Sequence, residues 1–141
     1  MTVSVGIKIV LVALFSGLVA QFAKFVSHIL VYHKIDFVKL YQTGGMPSAH
    51  SAGVMALSTM VGVYEGFGSI IFAITLYFSL IVMYDAAGIR RSAGQQARVL
   101  NMIIARREIR DVNRLVEQLG HTPFEVLMGS ILGILMAGVF L

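Results

Sequence analysis

The chain has no cysteine, so disulfide staples and thiolate metal sites are excluded. Charge is almost as scarce: 13% of residues are Asp, Glu, Lys or Arg against 57% hydrophobic, and the mean hydropathy is +0.85. A water-soluble domain of 141 residues cannot hide that much apolar surface. Internal repeats, linkers and low-complexity tracts are missing too. Lys8 ahead of an apolar core, with Ala20 at a cleavage-like edge, has the look of a signal peptide, but no charged mature domain follows it. These absences leave an all-α integral membrane protein, one helical domain over the whole chain.

Four apolar stretches are each near the about 17–25 residues that a helix needs to cross a bilayer core of roughly 30 Å. They run from about Val3 to Ala23, Ser48 to Tyr64, Ser69 to Tyr84 and Pro123 to Leu141, with Glu65-Gly66-Phe67-Gly68 breaking the second from the third. Between the first two, Lys24 to Thr43 mixes Phe25, Ile29, Leu30, Ile35, Phe37, Val38 and Leu40 with Lys24, Lys34, Lys39, His28, His33 and Asp36. That mixture predicts an interfacial helix and turn. From Gln95 to Leu119 the apolar Leu100, Ile103, Ile104, Val112, Leu115, Val116 and Leu119 recur opposite Arg106, Arg110 and Arg114. The spacing predicts an amphipathic helix outside the membrane, its arginines partly paired with Glu108, Asp111 and Glu117. Gly129, Gly133 and Gly138 give the last span a small face for close packing, within the chain or across a homo-oligomer.

Four spans put the Lys24–Pro47 and Asp85–Thr122 connections on one side of the membrane. Of the 11 Lys and Arg, every one except Lys8 falls on that side. The positive-inside rule makes it the cytosolic side. All seven arginines lie between Arg90 and Arg114. So local a block suits anionic headgroups or phosphate, and membrane lipids rather than nucleic acid are the expected partners.

Chemistry-bearing residues gather on the same face. Gly44-Gly45-Met46-Pro47-Ser48-Ala49-His50-Ser51-Ala52 sets a small-residue turn and a histidine at a helix start, where unpaired N–H groups and the positive dipole end favour an anion. Asp85, Arg90, Arg91 and Ser92 follow the third span, and Gly120-His121-Thr122-Pro123-Phe124-Glu125 precedes the fourth. Two histidines, two arginines, a carboxylate and a serine at a helix start make a phosphate-handling set. Each also has a plainer use. Thr122 and Glu125 fit a capping box, which on spacing weighs equally with Glu125 orienting His121. Arg90 and Arg91 suit a positive-inside anchor, and His50 an interfacial histidine. His28 and His33 lack partners at convincing spacing and read as structural. Asp85, at the end of a span, expects Arg90 or Arg91 as its partner.

Pro47-Ser48-Ala49-His50 resembles the P-S-G-H motif of the type 2 phosphatidic acid phosphatase and vanadium haloperoxidase superfamily, and His121-x-x-x-Glu125 resembles the end of its third motif. With Asp85-x-x-Gly88-x-Arg90-Arg91 between them, the ordered blocks resemble the divergent bacterial and plant branch of that superfamily. The resemblance implies a lipid phosphate or diphosphate as substrate, with no cofactor and no metal. It implies His121 as nucleophile, Glu125 as its orienting carboxylate, and His50 as the acid that protonates the leaving oxygen. Ser48 with nearby amides, Arg90 or Arg91, and Lys24 and Lys34 would bind phosphate, and Asp85 would orient. It leaves open a protein that binds or transports anionic phospholipid or isoprenoid phosphate without turnover. In-line transfer requires the His50 and His121 rings to share one phosphate, roughly 4–8 Å apart.

Overall fold

The structure is a computed structural model that describes residues 4–37, 44–107 and 112–141. Val38, Lys39 and Leu40 of the expected interfacial segment, and Glu108, Arg110 and Asp111 of the expected arginine stripe, lie outside the described residues, as does Val3. The fold is all-helical: α1 (Val5–Tyr32), α2 (Ala49–Glu65), α3 (Ile70–Ala87), α4 (Ile89–Arg106) and α5 (Pro123–Phe140). Three stretches are long and apolar enough to cross a membrane: α1, α3 with its continuation into α4, and α5.

α2 has 17 residues, about 25 Å of helix at 1.5 Å per residue. It packs against α1, α3 and α5 and so fills the middle of the bundle. Surrounded by protein on three sides, it needs small residues more than greasy ones. Ser51, Ala52, Ala56, Ser58, Met60, Val61 and Gly62 are buried along it. Lipid supplies no hydrophobic drive between helices, so contact depends on how near the backbones come. At Gly129 an added side chain would run into the Ser48 carbonyl, and at Gly133 into that of Ala52. Both belong to the glycine face expected for the last span, and both seat α5 on α2. Gly138 has open space around it and contributes nothing to that contact. Ser79 ties α3 to α2 by donating its hydroxyl to the Val54 carbonyl at 2.9 Å. The far end of the bundle is fastened where Lys8 Nζ donates to the Tyr64 hydroxyl at 2.8 Å.

Two expected boundaries are corrected. α1 does not stop near Ala23 to give way to a separate interfacial helix; it runs unbroken for 28 residues to Tyr32, about 42 Å and longer than a bilayer core. Its buried stripe is Ile9, Val12, Ser16, Ala20 and Lys24, so the lysine continues the packed face instead of ending it. The helix closes at His33, whose left-handed φ of 52° turns its N–H back to the Ile29 carbonyl at 2.8 Å. The amphipathic helix begins at Ile89, six residues before Gln95, and ends at Arg106 instead of Leu119. Residues 112–122 carry no helix. They form a strap that returns along α4, because Asn101 takes over the backbone bonding of Leu115. Its Oδ1 accepts from the Leu115 N–H at 2.9 Å and its Nδ2 donates to the Leu115 carbonyl at 2.9 Å. Further along, Gly94 lies against the Glu117 carbonyl and Gly120 against the Arg91 backbone, too close for a side chain on either glycine. The arginine stripe is therefore split, with Arg114 on the strap, where it pairs with Glu117 at 3.3 Å.

Candidate functional site

The strap ends where the His121 N–H donates to the Ala86 carbonyl of α3 at 2.9 Å. On the other side, the Ser48 N–H donates to the Glu125 carbonyl at 3.1 Å, joining the start of α2 to the start of α5. These two backbone bonds draw three helix ends together and bring the two histidine rings edge to face. The His50 and His121 ring centroids are 6.4 Å apart, with the ring planes at 77°. His121 lies beneath, 2% exposed, while His50 is exposed at the surface. That separation lies within the range of roughly 4–8 Å over which two rings can reach one phosphate.

Neither ring nitrogen of His121 has a hydrogen-bond partner among the described residues. Burial pushes the imidazole down to about 4, with the charges of Lys24, His50 and Arg90 pushing the same way. His121 is therefore neutral at physiological pH, with a lone pair that no described residue engages. A buried polar side chain left in this way is accounted for by an ordered water or ion, by strain or by a catalytic role.

The cations divide. Lys24 is 7% exposed, lays its stem over Gly45 and donates to Gln21 Oε1 at 3.0 Å. Its charge and that of Arg90 both bear on His121, together with that of His50. Arg90 Nε is held 2.6 Å from Asp85 Oδ2, the arginine partner expected for that carboxylate. Arg91 lines a groove with Gln95, Arg98, Glu117 and Gln118, and its charge is not among those that lower His121. Lys34 is exposed beyond the end of α1 and has no charge influence on His121. The structure thus brings Lys24 and Arg90 to the histidine pair and leaves Arg91 and Lys34 outside it.

Ser48 and Glu125 differ from the roles their resemblance implies. Ser48 is fully buried as the cap of α2, its Oγ accepting from the Ser51 N–H at 3.4 Å and from the Ser51 hydroxyl at 3.0 Å. With its own N–H given to Glu125, it is a helix cap and brace more than an anion donor. The Ala49 and His50 amides, as in any first helical turn, have no acceptor within the helix, and none among the other described residues. Gly44 and Gly45, at φ 82° and 85°, form the turn that leads to this start in a conformation that glycine adopts without strain. The Glu125 carboxylate accepts from the Thr122 N–H at 3.0 Å, and Thr122 Oγ1 accepts from the Glu125 N–H at 3.3 Å. Of the two readings of this pair, the reciprocal cap is the one formed, and the carboxylate does not reach His121.

Sequence reasoning missed Asn101, Gly94 and Gly120, which position the strap and so His121. A signal was present: an asparagine among apolar helical positions, and a glycine inside a helical pattern, both mark close backbone approach. Among the described residues no three His, Asp or Glu side chains converge as a metal site would require. A cleft of about 340 Å³ opens beside Lys24, lined also by His28, Tyr32, Gly44, Gly45 and Gln118.

Residues 6–136 match the family described as the divergent PAP2 family. The chain is 40% identical over 136 residues to the uncharacterized membrane protein YuiD of Bacillus subtilis (strain 168), with 83% of each chain covered. No solved structure matches.

Proposed function

The chain belongs to the divergent PAP2 family of membrane proteins, related to phosphatases, and from that premise we propose that it hydrolyses a lipid phosphate or diphosphate through a phosphohistidine. The observation that carries the reading is the His50–His121 pair, 6.4 Å apart at the end of the bundle. A His121 ring nitrogen attacks phosphorus as the bond to the leaving oxygen breaks. His50 gives that oxygen its proton, then takes a proton from the water that cleaves the phosphohistidine. Lys24, Arg90 and the first amides of α2 stabilise the charge on the phosphoryl oxygens. Side chains and amides supply every group in this scheme, so it needs no metal. The lipid tail lies along the exposed apolar faces of the helices, with the headgroup at the histidines. In the sequence ten of the 11 Lys and Arg fall in the two connections that flank the histidines, which supports a cytosolic orientation, and the Bacillus subtilis relative supports a bacterial plasma membrane.

The test is phosphate release from lipid monophosphates and diphosphates by the purified protein in detergent. Release should be inhibited by vanadate, insensitive to chelators and abolished by His121→Ala. If no lipid phosphate is turned over, and the variant equals the parent, the catalytic reading fails. One observation favours a second reading, a protein that binds or moves anionic lipid phosphate without turnover. Glu125 is engaged in its cap and leaves His121 without an orienting carboxylate. Tight lipid-phosphate binding with no release would support it.

A further inference from the structure

Among the described residues α4 meets no helix other than α3. Its buried stripe, Gly94, Ala97 and Asn101, is taken up by the strap. Other apolar side chains of α4 face outward: Ile89, Val99, Leu100 and Ile103 are 67%, 50%, 48% and 47% exposed. From Ala86 to Arg107 the sequence holds five arginines and no acidic residue. The apolar face also continues the one above it. A groove lined by Tyr84, Gly88, Ile89, Ala93 and Gln96 joins it to the end of α3, on which only Ser79 and Ala86 are buried.

We propose that α4 lies along the membrane surface as an anchor for anionic lipid, with Leu100 and Ile103 among the upper acyl chains and Arg98, Arg106 and Arg107 among the headgroups. An apolar helix face flanked by arginines matches the charge of an anionic leaflet, since five arginines outnumber the two described carboxylates against the helix, Asp85 on Arg90 and Glu117 on Asn101. Its continuity with the lipid-facing side of α3 selects lipid over a soluble protein as the occupant. The strap that carries His121 is fastened to α4 through Asn101, so the seat of this helix is also the seat of the buried histidine. The anchor stands whether or not the histidine pair turns over substrate.

The sequence has no tryptophan, so Leu100→Trp adds a single indole to the full chain. The variant is reconstituted in bilayers of neutral phosphatidylcholine, and in bilayers with added phosphatidylglycerol, each with lipids brominated in the upper acyl chain. In the anionic bilayer the indole should emit to the blue and be quenched roughly twofold more strongly than in the neutral one. Combining it with Arg98→Gln, Arg106→Gln and Arg107→Gln should remove that difference. A Tyr77→Trp variant, on the outward side of α3, should be quenched in both bilayers and reports successful insertion. With that control quenched, a water-exposed, unquenched indole at position 100 overturns the proposal. Equal quenching in both bilayers removes the anionic-lipid claim. A blue-shifted but unquenched indole assigns the face to a protein partner or a second copy instead.

Discussion

Asn101 grips Leu115 by both faces of its amide, accepting from the backbone N–H and donating to the carbonyl, each at 2.9 Å. The same Nδ2 also donates to Glu117 Oε1 at 2.8 Å. One side chain on α4 thus does for the strap what a neighbouring strand would do in a sheet.

Asn101→Ala leaves two backbone groups of the strap without their partner. The expected cost is about 1–3 kcal/mol, read as a lower thermal unfolding midpoint in detergent. If His121 is the nucleophile, turnover falls with it, because the strap sets the position of that ring. An unchanged midpoint contradicts the clamp.

Replacing Gly133 with leucine forces a side chain against the Ala52 carbonyl. Overpacking typically costs about 1–3 kcal/mol, and here the α2–α5 contact must open. The expected readout is loss of monodisperse protein on size exclusion in detergent. Gly138→Ala, in open space, should behave as the parent.

Stability should fall as pH drops below neutrality, and His121 sets the window. Its pKa is about 4 in the folded chain and 6.5 ordinarily, so the unfolded state binds the extra proton between those values. The contribution is complete above about 6.5 and is lost as pH falls through 4. Unfolding midpoints between pH 4 and pH 8 should show this slope in the parent and a shallower one in His121→Ala.

The two adjacent arginines should not be equivalent. Arg90→Ala should cut turnover about 10²–10³-fold, the usual loss when a group stabilising transition-state charge is removed. Arg91→Ala, in the groove with Gln95 and Arg98, should stay within about tenfold, a shift of roughly 1.4 kcal/mol in the barrier. The same contrast should hold between Lys24→Ala and Lys34→Ala. Phosphate-release rates on the four variants measure it, and equal losses would contradict the placement of the cations.

Much of the architecture was legible in the sequence, because lipid makes it so. Uninterrupted apolar stretches announce spans, and Gly129 with Gly133 shows where backbones can touch. The Thr122 to Glu125 spacing held both a cap and a catalytic orientation, and local hydrogen bonding formed the cap. What could not be read was decided by contacts distant in sequence. Lys24 looked like the end of a span because charge is costly in lipid; its stem over Gly45 and its bond to Gln21 show what keeps it inside the bundle. The strap kept a helical hydrophobic period through Leu115 and Leu119, yet its backbone is bonded across to Asn101 instead of along itself. Periodicity reports which side is apolar, and here it was silent on which partner the backbone would take.

His121 stands immediately ahead of α5, and the brace between Ser48 and Glu125 spans the chain from α2 to α5. During biosynthesis the histidine of α2 is consequently in place well before its counterpart. On the proposed reading, the nascent chain therefore holds only half of the histidine pair until α5 forms and the strap is drawn up to Ala86.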